Sequence, residues 1–309
     1  MVRYRAVQHG FLTPKVGLAQ GPPGCFSAHV LTRAGERFKV DVLGGVRSQE
    51  SGVRSQEGGR GENVTTGVDA HEGEERAAGL RERYARTRQM VAELAVRHGR
   101  KSEKVRIVAV SKYQPAAAVA ALAEAGQRDF GENYVQEALA KQREIRLPDL
   151  RWHFLGRLQR NKVKFLPGNF ILFHGLDNAA LALDLHERFQ AKSQVLDVLI
   201  QVNLGDESQK GGIAPGGLPA LAEHVGGLSG LALRGLMALP PFELDLAHKQ
   251  RLFGELRRLR DAVQRQTGLW LPELSMGTTD DFPQAIAEGA TMVRIGTRIF
   301  GERPARVAS

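Results

Sequence analysis

Val105-Arg106-Ile107-Val108-Ala109-Val110-Ser111-Lys112 is the stretch that decides the fold. Its first six residues form a nearly continuous apolar run, the pattern of a strand buried on both faces. Such strands belong to parallel sheets, whose helical crossovers cover both faces. Downstream, short apolar runs and helical periods keep alternating. Strands are predicted over 105–110, 127–131, 151–155, 170–174, 195–203, 231–237, 272–276 and 291–295. Helices are predicted over 115–125, 133–145, 159–166, 178–191, 216–226, 246–267 and 281–288. Eight strands alternating with helices over about 200 residues point to the α/β class and a closed (β/α)8 TIM barrel. An open doubly wound sheet is the alternative. No G-x-G-x-x-G fingerprint follows the first strand, which counts against it.

Upstream, Leu80, Tyr84, Arg88, Val91, Leu94 and Ala95 recur at helical spacing, and Gly99 stops them. This predicts an extra N-terminal helix over 74–99, packed on the barrel. Residues 1–70 differ in kind. They hold 12 of the 35 glycines and a short tandem repeat, Val46-Arg47-Ser48-Gln49-Glu50 recurring as Val53-Arg54-Ser55-Gln56-Glu57. Such a composition buries too little apolar surface to offset the entropy lost on ordering. Residues 1–70 are therefore predicted to be a disordered leader or an over-extended start, and 71–309 the barrel domain.

The 309 residues are 42% apolar and 25% charged, which excludes collagen, coiled-coil and wholly disordered classes. A single cysteine, Cys25, excludes a disulfide scaffold and favours a reducing, cytoplasmic compartment. No run approaches the roughly 18 apolar residues that span a bilayer, and no secretory signal is visible. A net charge of +9 invites a nucleic-acid reading. Like charges form no block beyond the cluster Arg257, Arg258 and Arg260, so neither nucleic acid nor membrane is the expected partner. An anionic small molecule, or simply a soluble basic surface, suits the charge better.

Barrels of this kind carry their sites at the C-terminal ends of the strands. Lys112 stands just beyond the first. A free lysine has a pKa of about 10.4 and is not nucleophilic; partial burial or a cationic neighbour favours an imine with a carbonyl. A solvated or salt-bridged rim lysine fits the same position. Gly277-Thr278-Thr279 follows the seventh strand and Gly296-Thr297 the eighth, where barrels often bind phosphate. Ordinary helix capping by Thr279 or Asp280 would use the same residues. Arg294, inside the apolar run 291–295, must point into the site or pair with an acid such as Asp280 or Asp281. His153, between Trp152 and Phe154, reads as a hydrogen-bonded core histidine, and His174 likewise. The histidines show no metal-ligand spacing, so no metal is expected.

With these residues assembled, the sequence resembles the pyridoxal phosphate homeostasis protein family, single-domain relatives of the alanine racemase barrel. The resemblance rests on Ala109-Val110-Ser111-Lys112, Phe130-Gly131-Glu132-Asn133-Tyr134-Val135-Gln136-Glu137 and Trp152-His153-Phe154-Leu155-Gly156 with Leu158-Gln159 and Asn161-Lys162. It continues through Gln201-Val202-Asn203, Gly235-Leu236-Met237, Leu274-Ser275-Met276-Gly277 with Asp280-Asp281, and Val293-Arg294-Ile295-Gly296-Thr297 with Ile299-Phe300-Gly301. Together these stretches span about residues 72–303, in order, with no counterpart for 1–70.

The resemblance implies an alanine-racemase-like barrel that binds pyridoxal 5′-phosphate (PLP) as a Schiff base on Lys112. It places Thr279, Gly296 and Thr297 at the phosphate, Arg294 at the pyridine nitrogen, and Asn133 along the cofactor edge with Asn203 and Met237 nearby. It implies a monomeric carrier that buffers PLP and delivers it to apo-enzymes, with no catalytic residue. A PLP-dependent racemase of low activity is the alternative. The larger racemases take a second base, a tyrosine, from an added β-domain, and none is expected here. Thr278-Thr279 stand where the family usually has Met-Ser, and Gln209 where a serine is usual.

Overall fold

The computed structural model describes residues 17–20, 25–31, 37–43, 67–205 and 211–302. The chain divides into two compact units, Met1–Asn63 and Val64–Ser309.

In the first unit, strands β1 (Gly17–Gln20), β2 (Cys25–Leu31) and β3 (Arg37–Leu43) form an antiparallel sheet in the order β1-β2-β3. The expectation of a disordered leader over 1–70 falls mostly on residues outside those described. The physical cause of the sheet is legible in the segment 37–43. Phe38, Val40 and Val42 alternate with Arg37, Lys39 and Asp41, the two-residue period of a strand. Glycine content averaged over the whole segment hides that local signal. The tandem repeat lies outside the described residues.

The second unit opens with helix α1 (Gly67–Arg97), which starts seven residues before the predicted 74. Its buried stripe is Leu80, Tyr84, Thr87, Val91 and Ala95. Thr87, not the exposed Arg88, occupies the middle of that stripe. The Thr87 hydroxyl donates to the Arg83 carbonyl at 2.7 Å, so it can be buried without an orphaned polar group.

Eight parallel strands follow: β4 (Arg106–Val110), β5 (Asp129–Glu132), β6 (Arg151–Phe154), β7 (Leu172–Leu176), β8 (Leu196–Gln201), β9 (Leu231–Met237), β10 (Glu273–Ser275) and β11 (Met292–Ile295). They close in the order β10-β11-β4-β5-β6-β7-β8-β9, with β9 pairing back to β10. Between and after them run α2 (Ala116–Glu124), α3 (Val135–Glu144), α4 (Ala179–Gln190), α5 (Leu218–Gly226), α6 (Leu246–Thr267), α7 (Phe282–Ala287) and α8 (Thr297–Phe300). The predicted helix 159–166 is a 3-10 turn over Arg160–Phe165. Among the described residues no helix is long and apolar enough to cross a membrane.

The alternation of strand residues divides the core in two. Ile107, Ala109, Phe130, Trp152, Phe154, Val293 and Ile295 join the large apolar cluster under the helices. Their neighbours Val108, Leu172 and Met292, with Leu199 and Met237, form a separate small cluster inside the barrel. This cluster alone is too small to fill the barrel interior, and buried polar groups, His153, His174, Ser275 and Arg294, complete it.

Candidate functional site

All eight residues singled out from the sequence stand at the C-terminal rim of one barrel. Lys112 follows β4 and is half-buried; Asn133 follows β5; Asn203 follows β8. Met237 ends β9, Thr279 follows β10, Arg294 is the third residue of β11, and Gly296 and Thr297 come directly after it. The strands that carry them, β8-β9-β10-β11-β4-β5, are six consecutive neighbours in the closed sheet.

Lys112 is presented by a fixed backbone. Lys141 on α3 is buried, and its ammonium donates to the Ser111 carbonyl at 2.5 Å, to Glu132 Oε1 at 2.6 Å and to Glu137 Oε1 at 2.8 Å. The Ser111 hydroxyl donates to the same Glu132 oxygen at 2.6 Å. On the other side of Lys112, Tyr113 holds φ 65°, a left-handed conformation that few non-glycine residues adopt. Its amide donates to Glu137 Oε1 at 2.5 Å, which secures the turn. Burial pushes the Glu132 carboxyl up, against the lowering pull of Lys141. The hydroxyls of Tyr113 and Tyr134 meet at 2.5 Å on the rim.

The anion-binding candidates converge. The Gly296 amide donates to Thr279 Oγ1 at 3.3 Å, and the Thr297 hydroxyl lies 3.3 Å from the same oxygen. The preceding turn depends on Gly277, at φ +88°; a Cβ there would lie 2.6 Å from Ala285 Cβ. Thr278 is consumed in shaping the loop, because its amide and hydroxyl both donate to Asp281 Oδ1, at 2.6 and 3.0 Å. Neither Thr279 nor Asp280 caps α7: the N-cap is Asp281, with no side-chain cap bond, and Thr279 Oγ1 is left facing Gly296 and Thr297. Gly156 has a similar role opposite, since any Cβ there would strike the Asn133 carbonyl.

Arg294 is buried and takes neither of the acids considered for it. Nη1 donates to Ser275 Oγ at 2.8 Å and Nη2 to the Ala238 carbonyl at 2.9 Å. Burial pushes its pKa down to about 10, partly offset by Asp281. It remains a cation at neutral pH and can only donate. Behind it sit His174, His153 and Asp129, which sequence reading did not assign to the site.

A cation without a carboxylate, a cluster of hydroxyl and amide donors, and a lysine on a braced turn are a suitable set for a phosphorylated carbonyl compound with a ring acceptor. Comparison with known proteins gives this set a context. Residues 85–304 match the family model of the alanine racemase N-terminal domain. The pyridoxal phosphate homeostasis protein of Aquifex aeolicus is 42% identical over 222 residues, which are 72% of this chain and 97% of the relative. That of Pseudomonas aeruginosa is 45% identical over 224 residues, 72% of this chain and 96% of the relative. The solved structure of PipY from Synechococcus elongatus with PLP bound superposes with a TM-score of 0.66 at 40% identity, over 72% of this chain and 100% of PipY. Alanine racemase from Corynebacterium glutamicum shares the fold, with a TM-score of 0.57 at 15% identity over 75% of this chain and 63% of its own. By the family model and by identity along nearly the whole length of these relatives, the chain belongs to the pyridoxal phosphate homeostasis protein family.

Proposed function

We propose that the protein binds PLP at the barrel mouth and serves as a non-catalytic carrier that buffers the cofactor and passes it to apo-enzymes. The observation that carries this reading is the convergence of Lys112, Arg294 and the Thr279-Gly296-Thr297 donors on one rim. The PLP named in the PipY structure supports it. PLP supplies an aldehyde that a neutral lysine amine can capture as a Schiff base, with loss of water. The braced turn around Lys112 presents that amine. Thr279, Gly296 and Thr297 bind the phosphate, while Asn133, Asn203 and Met237 line the cofactor. Arg294 donates to the pyridine nitrogen and so keeps it unprotonated, which weakens the ring as an electron sink and argues against catalysis.

The test is spectral. Purified protein mixed with PLP should show an imine absorbance band, and borohydride should fix the adduct on the Lys112 peptide. Lys112→Ala should lose the band and keep its melting temperature, because the side chain is not part of the packed interior. Full retention of the band in that variant would overturn the assignment. Thr279→Val should weaken PLP binding about tenfold through one lost hydrogen bond to a charged group.

One observation favours a second reading. Tyr113, the residue after Lys112, pairs its hydroxyl with that of Tyr134 at 2.5 Å, and the pair offers a second base for amino-acid racemisation of low activity. Turnover above about 1 s⁻¹ with a defined amino acid would decide for an enzyme.

The same proposal makes the protein a cytoplasmic monomer, which light scattering checks for the oligomeric state. It also makes the second unit self-sufficient. Relatives of 94–97% coverage match only 71–72% of this chain. A chain starting at Val64 should therefore keep both its melting temperature and its imine band.

A further inference from the structure

The polar groups inside the barrel form a single hydrogen-bonded series that PLP binding alone does not explain. From Arg294 Nη1 it passes to Ser275 Oγ at 2.8 Å, and from Ser275 Oγ to His174 Nδ1 at 2.9 Å. His174 Nε2 lies 3.0 Å from His153 Nδ1, and His153 Nε2 lies 2.9 Å from Asp129 Oδ1. Arg151 closes the far end with two bonds to the Asp129 carboxylate, at 2.9 and 2.5 Å. Ser275 and both imidazoles are 0% exposed. The six groups come from five strands, β11, β10, β7, β6 (His153 and Arg151) and β5.

Donor arithmetic restricts where the protons sit. A guanidinium only donates, so Ser275 Oγ accepts from Arg294. An ionised carboxylate only accepts, so His153 Nε2 carries a proton toward Asp129. Three patterns connect these ends. In one, both rings are neutral: Ser275 donates to His174 Nδ1, and His174 Nε2–H donates to His153 Nδ1. In the others one ring is a cation: either His153 Nδ1–H donates to His174 Nε2 and His174 Nδ1–H to Ser275, or a doubly protonated His174 donates to both Ser275 and His153 Nδ1. Each of these adds a positive charge to a buried interior whose only carboxylate in the series is already bonded twice by Arg151. Burial also pushes both histidines down, His174 well below the ordinary value.

We propose that Ser275, His174, His153 and Asp129 are positioning residues for Arg294, a one-way relay of two neutral Nε2–H imidazoles that orients the guanidinium toward the cofactor ring nitrogen. The last clause rests on the PLP reading above. The relay explains how a buried arginine is held without a hydrogen-bonded carboxylate. Each bond polarises the next in the same sense, so Asp129 on the N-terminal side supports a cation at the mouth through three intervening side chains. A carboxylate in place of Ser275 would neutralise Arg294. The relay fixes its geometry and leaves its charge available.

The experiment uses the full chain with ¹⁵N-labelled histidine, with and without PLP. Nitrogen shifts at neutral pH, assigned with His153→Gln and His174→Gln, report the tautomers directly. The expected result is Nε2 protonated and Nδ1 bare in both rings. A proton on Nδ1 of either ring overturns the relay. Ser275→Ala should then raise the PLP dissociation constant about tenfold and move the imine absorbance maximum, with Ser275→Thr restoring both. An unchanged constant and maximum in Ser275→Ala overturns the positioning role. A native chain with no imine band overturns the PLP reading instead, and the tautomers remain readable in that case.

Discussion

The N-terminal half of the barrel and its C-terminal mouth hold their arginines in different ways. Below, each of three arginines meets a carboxylate: Arg106 pairs with Glu273, Arg151 with Asp129, and Arg234 with Asp197. At the mouth, Arg294 meets a hydroxyl and a carbonyl. The lower pairs are neutral units that join strands. The upper cation is anchored by neutral acceptors, so its charge stays available to a ligand. Under the proposed function, the same residue type serves cohesion at one end and recognition at the other, and the acceptor beside it makes the difference.

The largest effect should come from cutting the lower half where it feeds the interior. Asp129→Ala leaves the His153 Nε2–H in a dry space with no acceptor, and leaves Arg151 without its partner. Arg151 is half-exposed and water can rescue it; His153 cannot be rescued. The expected cost is about 3 kcal/mol, less than for a wholly buried pair with both members stranded. Urea unfolding measures it. A loss below about 1 kcal/mol, the range of a surface pair, would erase the distinction between the interior series and the other lower pairs.

Next comes pH. His153 and His174 are held below the ordinary histidine value of 6.5, chiefly by burial. The unfolded chain therefore takes up protons that the folded chain refuses. Their contribution to stability is complete above 6.5 and declines as the pH falls toward their lowered values, by up to about 1.4 kcal/mol per pH unit for each ring. For Asp129, burial raises the pKa, but hydrogen bonds from His153 and Arg151 outweigh it and hold it at about 2 against 3.8. Its contribution has the same sign and is lost only as the pH falls below 3.8. Melting temperature should thus decline from neutral pH down to pH ~5, and less steeply in His174→Gln. A flat profile would mean that the folded chain binds these protons as readily as the unfolded one, so that burial does not hold the rings down.

The mouth was far more legible in the sequence than the lower half. Lys112, Asn133, Thr279 and Gly296 each stand within four residues of a strand's C-terminal end, so locating the strands locates the candidate site. Arg294 stood out because a charge inside an apolar run demands a partner. The identity of that partner was not legible: Ser275 is 19 residues away and reaches it only through the β10-β11 neighbourhood. His153 and His174 could be read as satisfied core histidines, but their bonds to each other and to Asp129 and Ser275 join four strands that are separate in sequence. The strands at 25–31 and 37–43 were missed for a different reason. Their alternation is local, and a composition averaged over 70 residues does not register it.

The smallest effect sharpens the comparison within the lower half itself. Arg234 Nε donates to Asp197 Oδ1 at 2.9 Å, the same distance as Arg151 Nε to Asp129 Oδ1, although Arg151 adds a second bond through Nη2. The surroundings differ. The Arg234 and Asp197 side chains are 43% and 40% exposed, whereas Asp129 is 7% exposed and also accepts from a histidine of 0% exposure. Water can replace either member of the exposed pair, and salt screens their attraction. Asp197→Asn keeps the size and one acceptor oxygen and removes only the charge. Its cost should stay below about 1 kcal/mol and shrink further at high salt, while the Asp129→Ala loss should hardly respond to salt. If Asp197→Asn cost as much as Asp129→Ala, bond geometry rather than enclosure would set the strength of the lower pairs, and the relay would lose its claim to be the structural core of that half.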